Sequence, residues 1–171
     1  MRELLSFPNP VNEKAARVVA GVVMVSGIVI LATGAYWLLI VLAYGFWARV
    51  LTGPTLSPLG WMAQNVIAPR LGARKPVPGP PKRFAQGMGA GFSTAALVFG
   101  VILADYGVAD AFLVMLVIAA GLESIFALCL GCKVFAILMR VGLIPARVCA
   151  QCADISFRLK PQRRPPQDVV L

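Results

Sequence analysis

Four long apolar stretches constrain this chain more than any other feature of its sequence. They cover residues 15–33, 35–51, 84–104 and 109–130. About 20 apolar residues cross the roughly 30 Å hydrocarbon layer of a bilayer as a helix. With 59% hydrophobic and only 13% charged residues, the chain carries far fewer charges than an ordinary soluble domain. The sequence therefore predicts an all-α fold, a four-pass transmembrane helical bundle formed by residues 15–130.

The first two stretches are separated only by Gly34, which predicts a tight hairpin that uses the freedom of glycine at positive φ. A single unbroken helix from Ala15 to Leu51 would be ~55 Å long, which is too long for one crossing. Asn12 is the predicted N-cap of the first helix, and Glu13 follows it in the first turn, where a carboxylate suits the helix dipole.

The basic residues all fall on one side of this four-pass layout. The 16 lysines and arginines lie near the start of the first stretch, from the last residues of the second (Arg49) to the start of the third, or after the fourth. The positive-inside rule then places the N-terminus, the C-terminus and the middle loop in the cytoplasm, with the chain in the cell inner (plasma) membrane. We assign the net charge of +9 to this orientation and to anionic headgroups, and predict no nucleic-acid partner.

Four segments lie outside the predicted crossings. They are an N-terminal segment 1–14, a proline-rich loop 52–83, a short cysteine-bearing helical extension 131–157 and a basic, disordered tail 158–171. Within the loop, residues 61–68 predict a short helix that ends at Pro69. The prolines of residues 75–82 predict an extended, semi-rigid spacer before the third helix.

Small residues recur on one stripe of the third helix, at Gly87, Gly91 and Ala95. Such stripes let helices approach closely in lipid. The stripe predicts helix packing within the bundle, with a homo-oligomer contact as the alternative.

Glu123 is the only ionisable residue deep within an apolar stretch. Charges in that position are costly and often functional. One interpretation is a proton-handling role beside a thiol site, or in a small transport or accessory subunit. The other is a carboxyl group that is hydrogen-bonded to another helix as a structural lock.

The four cysteines form two pairs of one pattern, Cys129-Leu-Gly-Cys132 and Cys149-Ala-Gln-Cys152. The first pair is predicted where the fourth helix meets the cytoplasm. The second follows Pro145, which suits the first turn of a new helix. A helix N-terminus and the nearby Arg147 would stabilise a thiolate at Cys149 and favour nucleophilic attack.

Three interpretations of these cysteines stay open. In the first, Cys149 and Cys152 exchange electrons or persulfide sulfur with a soluble partner, and Cys129 and Cys132 pass them on at the membrane. In the second, all four thiolates hold zinc or an iron–sulfur cluster in a non-enzymatic scaffold or accessory subunit, because the 16 residues between the pairs suit such a site. In the third, the cysteines are small buried apolar residues. A stable structural disulfide is not expected, since the cytoplasm keeps thiols reduced.

The sequence contains no histidine. Histidine-dependent triads, histidine-ligated haem and mixed cysteine–histidine zinc sites are therefore excluded. No Walker-type loop, Rossmann fingerprint or carboxylate pair occurs either.

A resemblance to a known family rests on four segments. They are residues 7–14 (FPNPVNEK), 52–59 (TGPTLSPL), 78–86 (PGPPKRFAQ) and 129–133 (CLGCK). Together they resemble an uncharacterised bacterial integral-membrane family catalogued as domain of unknown function 4395, over the chain up to about Asp154. Members are often encoded beside thioredoxin-like or rhodanese-type sulfurtransferase proteins, so the resemblance implies thiol or sulfur handling with such a partner. It implies no established activity, no catalytic residue and no assigned enzymatic reaction.

Overall fold

The computed structural model describes residues 10–54, 56–73 and 75–144. The predictions for Cys149, Cys152 and the helix after Pro145 therefore lie outside the described residues, as does the basic tail. The described chain is helical apart from two short strands, β1 (Val11–Asn12) and β2 (Pro76–Val77), which pair antiparallel. This finding confirms the predicted all-α fold class.

The first two helices form a hairpin, as predicted. Helix α1 spans Glu13–Thr33, and the Asn12 side chain caps its start by accepting a hydrogen bond from the Lys14 backbone N–H at 3.2 Å. Gly34 ends the helix at φ +66°, a conformation that glycine adopts without steric cost. Helix α2 spans Leu38–Thr52, so the connection is four residues long and not Gly34 alone.

A continuous helical segment follows in the middle loop, longer than predicted. It consists of α3 (Pro58–Met62), a π turn (Ala63–Ile67) and α4 (Ala68–Arg70). The prediction that Pro69 ends this segment is wrong. In the π turn the Ala68 N–H bonds to the carbonyl of Ala63, five residues back, and this wider turn accommodates a proline that has no N–H to donate.

The third predicted helix begins five residues earlier than expected. Helix α5 spans Gly79–Leu97 and continues as a π turn through Val98–Ile102. Pro80 and Pro81 lie in its first turn, where a missing N–H breaks no intrahelical hydrogen bond. The extended spacer is correspondingly shorter than residues 75–82, and Lys82 belongs to a helix.

The fourth predicted helix divides into two. Helix α6 spans Tyr106–Phe126 and ends at Ala127, which has φ +57°. Helix α7 (Leu130–Arg140) then begins after an N-cap at Cys129. The expected helix 109–130 is therefore shifted toward the N-terminus, because Asp105 caps α6 by accepting from the Val108 N–H at 3.2 Å.

The long helices pack in pairs around one core. Helix α1 packs on α6, α2 packs on α5, and α5 also contacts α6 and α7. Side chains such as Ile30, Leu39 and Leu113 are completely buried between them. Many large apolar side chains point outward, as expected for a surface covered by lipid. Among the described residues, three helices are long and apolar enough to cross a membrane, namely Glu13–Thr33, Gly79–Ile102 and Tyr106–Phe126.

The starts of α1 and α5 and the ends of α2 and α6 meet at one end of the bundle, which we call the basic end because arginines connect these helices there. Arg17 of α1 donates to the carbonyl oxygens of Ser124 and Ile125 at 2.9–3.1 Å. Arg83 of α5 donates to the carbonyl oxygen of Val50 at 3.0 Å. Since the last carbonyls of a helix have no intrahelical partner, these arginines act as caps between helices.

The small-residue stripe of α5 does not pack within the bundle, and that prediction is wrong. A Cβ atom added at Gly87 or Gly91 would meet no neighbouring described atom within 4 Å. The close approach occurs at Gly89, where an added Cβ would overlap the ring of Phe46. The helix therefore buries a different face from the one expected, and the homo-oligomer contact stays a prediction.

The end opposite the basic end is aromatic and acidic. Tyr36 stacks on Tyr106 with ring centroids 4.8 Å apart, and its hydroxyl donates to Asp110 Oδ1 at 2.9 Å. Burial first, and then the bond to Asp110, raise the pKa of Tyr36. This contact ties the connection between α1 and α2 to α6.

Replacing Tyr36 with phenylalanine should lower the free energy of unfolding by about 0.5–1.5 kcal/mol, the usual net value of a hydrogen bond. Because the folded state holds the phenol proton more tightly, this contribution is complete below the ordinary pKa of 10.0 and is lost as pH rises through the raised pKa. Thermal unfolding in detergent near neutral pH and above pH 10 measures both effects. Tyr106→Phe is the control, since it keeps the ring stack on Tyr36 and its hydroxyl makes no hydrogen bond among the described residues. Identical losses in both variants at every pH would contradict the prediction.

Candidate functional site

The first cysteine pair is closed in the structure. Cys129 and Cys132 form a disulfide with their Cα atoms 5.2 Å apart. Cys129 is the N-cap of α7, and its sulfur accepts from the Cys132 backbone N–H at 3.3 Å. Cys129 is buried, whereas Cys132 is half-buried. The two sulfurs therefore differ in access, and the buried one lies at the positive end of a helix dipole.

Packing against α5 holds this disulfide in place. Gly131 lies so close to α5 that an added Cβ would overlap the backbone of Ala85. One turn further on, the ring of Phe135 is buried against Phe84, with centroids 5.6 Å apart. Helix α7 therefore folds back onto the basic end of the bundle instead of continuing α6.

Glu123 forms an ion pair with Lys82 of α5. The Lys82 Nζ lies 2.5 Å from Glu123 Oε1, and only 9% of the lysine side chain and 15% of the glutamate side chain are exposed. This contact agrees with the structural-lock interpretation of Glu123. The proton-handling interpretation stays a prediction. Lys82 is not predictable as the partner from the sequence pattern, which places this residue in a loop and not in α5.

A cavity of about 390 Å³ opens beside both features. Its wall is mainly apolar, with Val23, Phe46 and Phe92 among the lining residues, and Glu123, Gln86 and Cys129 add the polar atoms. Met115, Ile118 and Leu130 line its edge and are themselves exposed, so the opening faces outward between α6 and α7. Cavities of this size and composition are typical of small-molecule sites.

Arg49 lies in a second polar cluster. In the sequence it is only one of the 16 basic residues that predict the orientation of the chain. It is 6% exposed; its Nε donates to Gln86 Oε1 at 2.9 Å, and its Nη1 donates to Ser57 Oγ at 3.4 Å. Its Nη2 is buried and has no hydrogen-bond partner among the residues the structure describes. A smaller cavity of about 60 Å³ adjoins it, lined also by Lys82 and Gln64. The only sequence signal was an arginine near the end of an apolar stretch.

The predicted four-thiolate metal site needs Cys149 and Cys152, which the structure does not describe. Within residues 10–54, 56–73 and 75–144, no group of three or more cysteine, aspartate or glutamate side chains is placed to hold a metal ion. The structure thus brings Cys129, Cys132 and Glu123 to one end of the bundle and leaves the second cysteine pair untested.

Comparisons with known proteins bear on the family. No curated protein and no solved structure matches the chain. A family described as a domain of unknown function (DUF4395) matches residues 11–140, which include the first cysteine pair and end before the second. That match covers most of the chain and confirms the resemblance seen in the sequence, so the protein belongs to the DUF4395 family.

Proposed function

We propose that this protein is a bacterial inner-membrane protein that crosses the bilayer four times and carries out thiol–disulfide exchange at its cytoplasmic face. The closed Cys129–Cys132 pair, at a helix N-terminus and beside a cavity, is the observation that supports this function most. A Cys129–Cys132 disulfide is the oxidised form that electron transfer requires. Sulfur transfer through a persulfide is the alternative, and the purification experiment below distinguishes the two.

The contacts at the basic end support four crossings. Arg17 at the start of α1 reaches the end of α6, and Arg49 near the end of α2 reaches Gln86 in α5. The end of α2 thus lies at the same end of the bundle as the start of α1, which supports two antiparallel crossings by these helices. With 15 residues, α2 is ~22 Å long and needs the flanking turns or local bilayer thinning to cross. By the positive-inside rule, the clustered lysines and arginines support a cytoplasmic position for this end and for both termini.

The different access of the two sulfurs sets the order of the exchange. A thiolate of the reducing partner attacks the half-buried Cys132 sulfur, forms a mixed disulfide and releases Cys129 as a thiolate. The Cys132 N–H and the N-terminus of α7 stabilise that thiolate. The second thiolate of the partner then attacks the partner sulfur that is bonded to Cys132, breaks the mixed disulfide and releases Cys132 as a thiolate. The partner is oxidised to a disulfide, and two electrons and two protons end on Cys129 and Cys132.

The reducing partner in this exchange is proposed to be the second pair of the same chain, Cys149 and Cys152. Its oxidised form would be reduced again by a soluble protein dithiol of the thioredoxin-like or sulfurtransferase type. This step rests on the repeated CxxC pattern of the sequence. The rival function is a scaffold that holds zinc or an iron–sulfur cluster on four thiolates. The anaerobic purification described below distinguishes the two functions.

Selective alkylation tests the order of attack. In a C149S/C152S background, Cys132 in the Cys129→Ser variant should react with a charged maleimide about tenfold faster than Cys129 in the Cys132→Ser variant, because Cys132 is the more exposed of the two residues. Labelling should occur in inverted vesicles and not in right-side-out vesicles. Equal rates, or labelling from the outside, would contradict the proposed order or orientation.

Anaerobic purification of the full chain tests the exchange itself. We expect metal-free protein in which soluble thioredoxin reduces Cys129–Cys132, about an order of magnitude more slowly in C149S/C152S. Reduction by dithiothreitol should be the same in both proteins. One zinc or iron–sulfur cluster per chain with all four thiols masked would overturn the proposal, as would a persulfide found by mass spectrometry.

A further inference from the structure

We propose that the small cavity beside Arg49 is a binding site for an oxyanion of the phosphate type. This inference is independent of the thiol chemistry, because it rests on the charge and burial of a different group of side chains.

The first observation is the unsatisfied guanidinium group. Arg49 is 94% buried, and its Nη2 has no hydrogen-bond partner among the described residues. Leaving a buried charged donor unsatisfied costs more free energy than leaving a neutral one. Because the unsatisfied atom belongs to a residue that lines a cavity, a ligand can supply the missing acceptor.

The second observation is the local charge balance. Lys82 lines the same cavity, but its charge is already balanced by Glu123. The described side chains that bond to Arg49 are the neutral Gln86 and Ser57, and its guanidinium group also lies over the Phe46 ring, with Cζ 4.7 Å from the centroid. No described carboxylate lies within ion-pair distance of it. No aspartate or glutamate lines the cavity. The site therefore carries one uncompensated positive charge, and an anion balances it.

The shape and donors of the site indicate the class of anion. A volume of about 60 Å³ exceeds what a single water molecule needs and leaves no room for a large organic ligand. Gln86 uses its carbonyl oxygen to accept from Arg49, so its amide NH₂ group remains as a donor, and Gln64 adds a second amide. Arginine with flanking amide donors is well suited to the oxygens of a phosphate or sulfate group.

The position of this cavity allows two sources for the phosphate group. Gly53, Pro54 and Gly60 line the cavity, so it lies where α2 passes into α3 at the basic end of the bundle. At the edge of a membrane, a phosphate group comes either from solution or from the headgroup of an anionic phospholipid.

Ligand-dependent thermal unfolding tests the site on the full chain, purified in neutral detergent and stripped of lipid. Inorganic phosphate or sulfate should raise the unfolding temperature saturably, relative to chloride at equal ionic strength. Arg49→Gln should weaken the apparent affinity by about 10- to 100-fold, and Arg49→Lys by less. Arg70→Gln is the matched control, since Arg70 is an exposed basic residue at the same end.

Two further measurements identify the source of the phosphate group and keep the test valid if Arg49→Gln does not fold. Stabilisation by phosphatidylglycerol nanodiscs and not by inorganic phosphate would assign the site to a headgroup. If Arg49→Gln does not fold, Gln64→Leu tests the same cavity without removing the guanidinium group and should also weaken binding. The proposal is overturned if neither source stabilises the native chain more than chloride does, or if the Arg49 and Arg70 variants respond alike.

Discussion

Replacing Glu123 with alanine should destabilise the bundle by about 3–5 kcal/mol, because Lys82 would remain buried without its counter-ion. The two side chains are almost wholly enclosed between α5 and α6, 41 residues apart in the chain. Among the described residues Lys82 has no other ion-pair partner, so its desolvation would be uncompensated there and we expect the largest single-residue effect here. Equilibrium unfolding in mixed detergent, followed by far-UV circular dichroism, measures the loss.

The double variant Lys82→Met/Glu123→Leu is the control for this prediction. Removing both charges leaves no unpaired group, and replacement of a buried ion pair by apolar side chains is often neutral or stabilising. We therefore expect it to recover most of the stability. A double variant as unstable as Glu123→Ala would show that the pair contributes through packing and not through charge.

Replacing Gly131 with valine should lower the free energy of unfolding by about 1–3 kcal/mol and displace α7 from α5. The added Cβ would overlap the backbone of Ala85, which cannot rotate away as a flexible side chain can. Because this contact holds the helix that begins at Cys129, the disulfide should also become more accessible. Thermal unfolding measures the first effect, and the rate of reduction by dithiothreitol measures the second.

Gly87→Ala is the matched control on the facing helix. Nothing described lies within 4 Å of its added Cβ, and alanine has the higher helix propensity, so this change should be neutral or stabilising by up to about 1 kcal/mol. Equal losses for Gly87→Ala and Gly131→Val would contradict the close approach of α7 to α5.

Hydropathy and capping residues predicted much of the fold. Long apolar runs need little context to form helices, and Asn12 and Gly34 have side-chain or backbone properties that fix a helix end locally. The break at Ala127 has no such local signal, because alanine rarely adopts φ +57° unless packing imposes it. Only the tertiary contact between α7 and α5 explains why the fourth apolar stretch divides there.

The candidate site was predicted less completely than the fold. The spacing of Cys129 and Cys132 identified a pair that the structure closes, but the sequence could not show which sulfur is buried. The sequence did not reveal the partner of Glu123, because the prolines of residues 75–82 predict an extended spacer at Lys82, whereas α5 already begins at Gly79. Arg49 carried no motif, and its importance comes from burial and a missing acceptor, which no sequence pattern encodes.

Gln86 lines both cavities and lies between them. Its amide is bonded to Arg49 on one side, and the same residue forms part of the wall of the larger chamber next to Cys129. An occupant that turns this amide must alter both spaces at once. If filling one cavity changes the affinity of the other, reciprocity requires the same factor in each direction. The sulfur atoms and the guanidinium group therefore lie beside two spaces that share Gln86 and Val19 as wall residues.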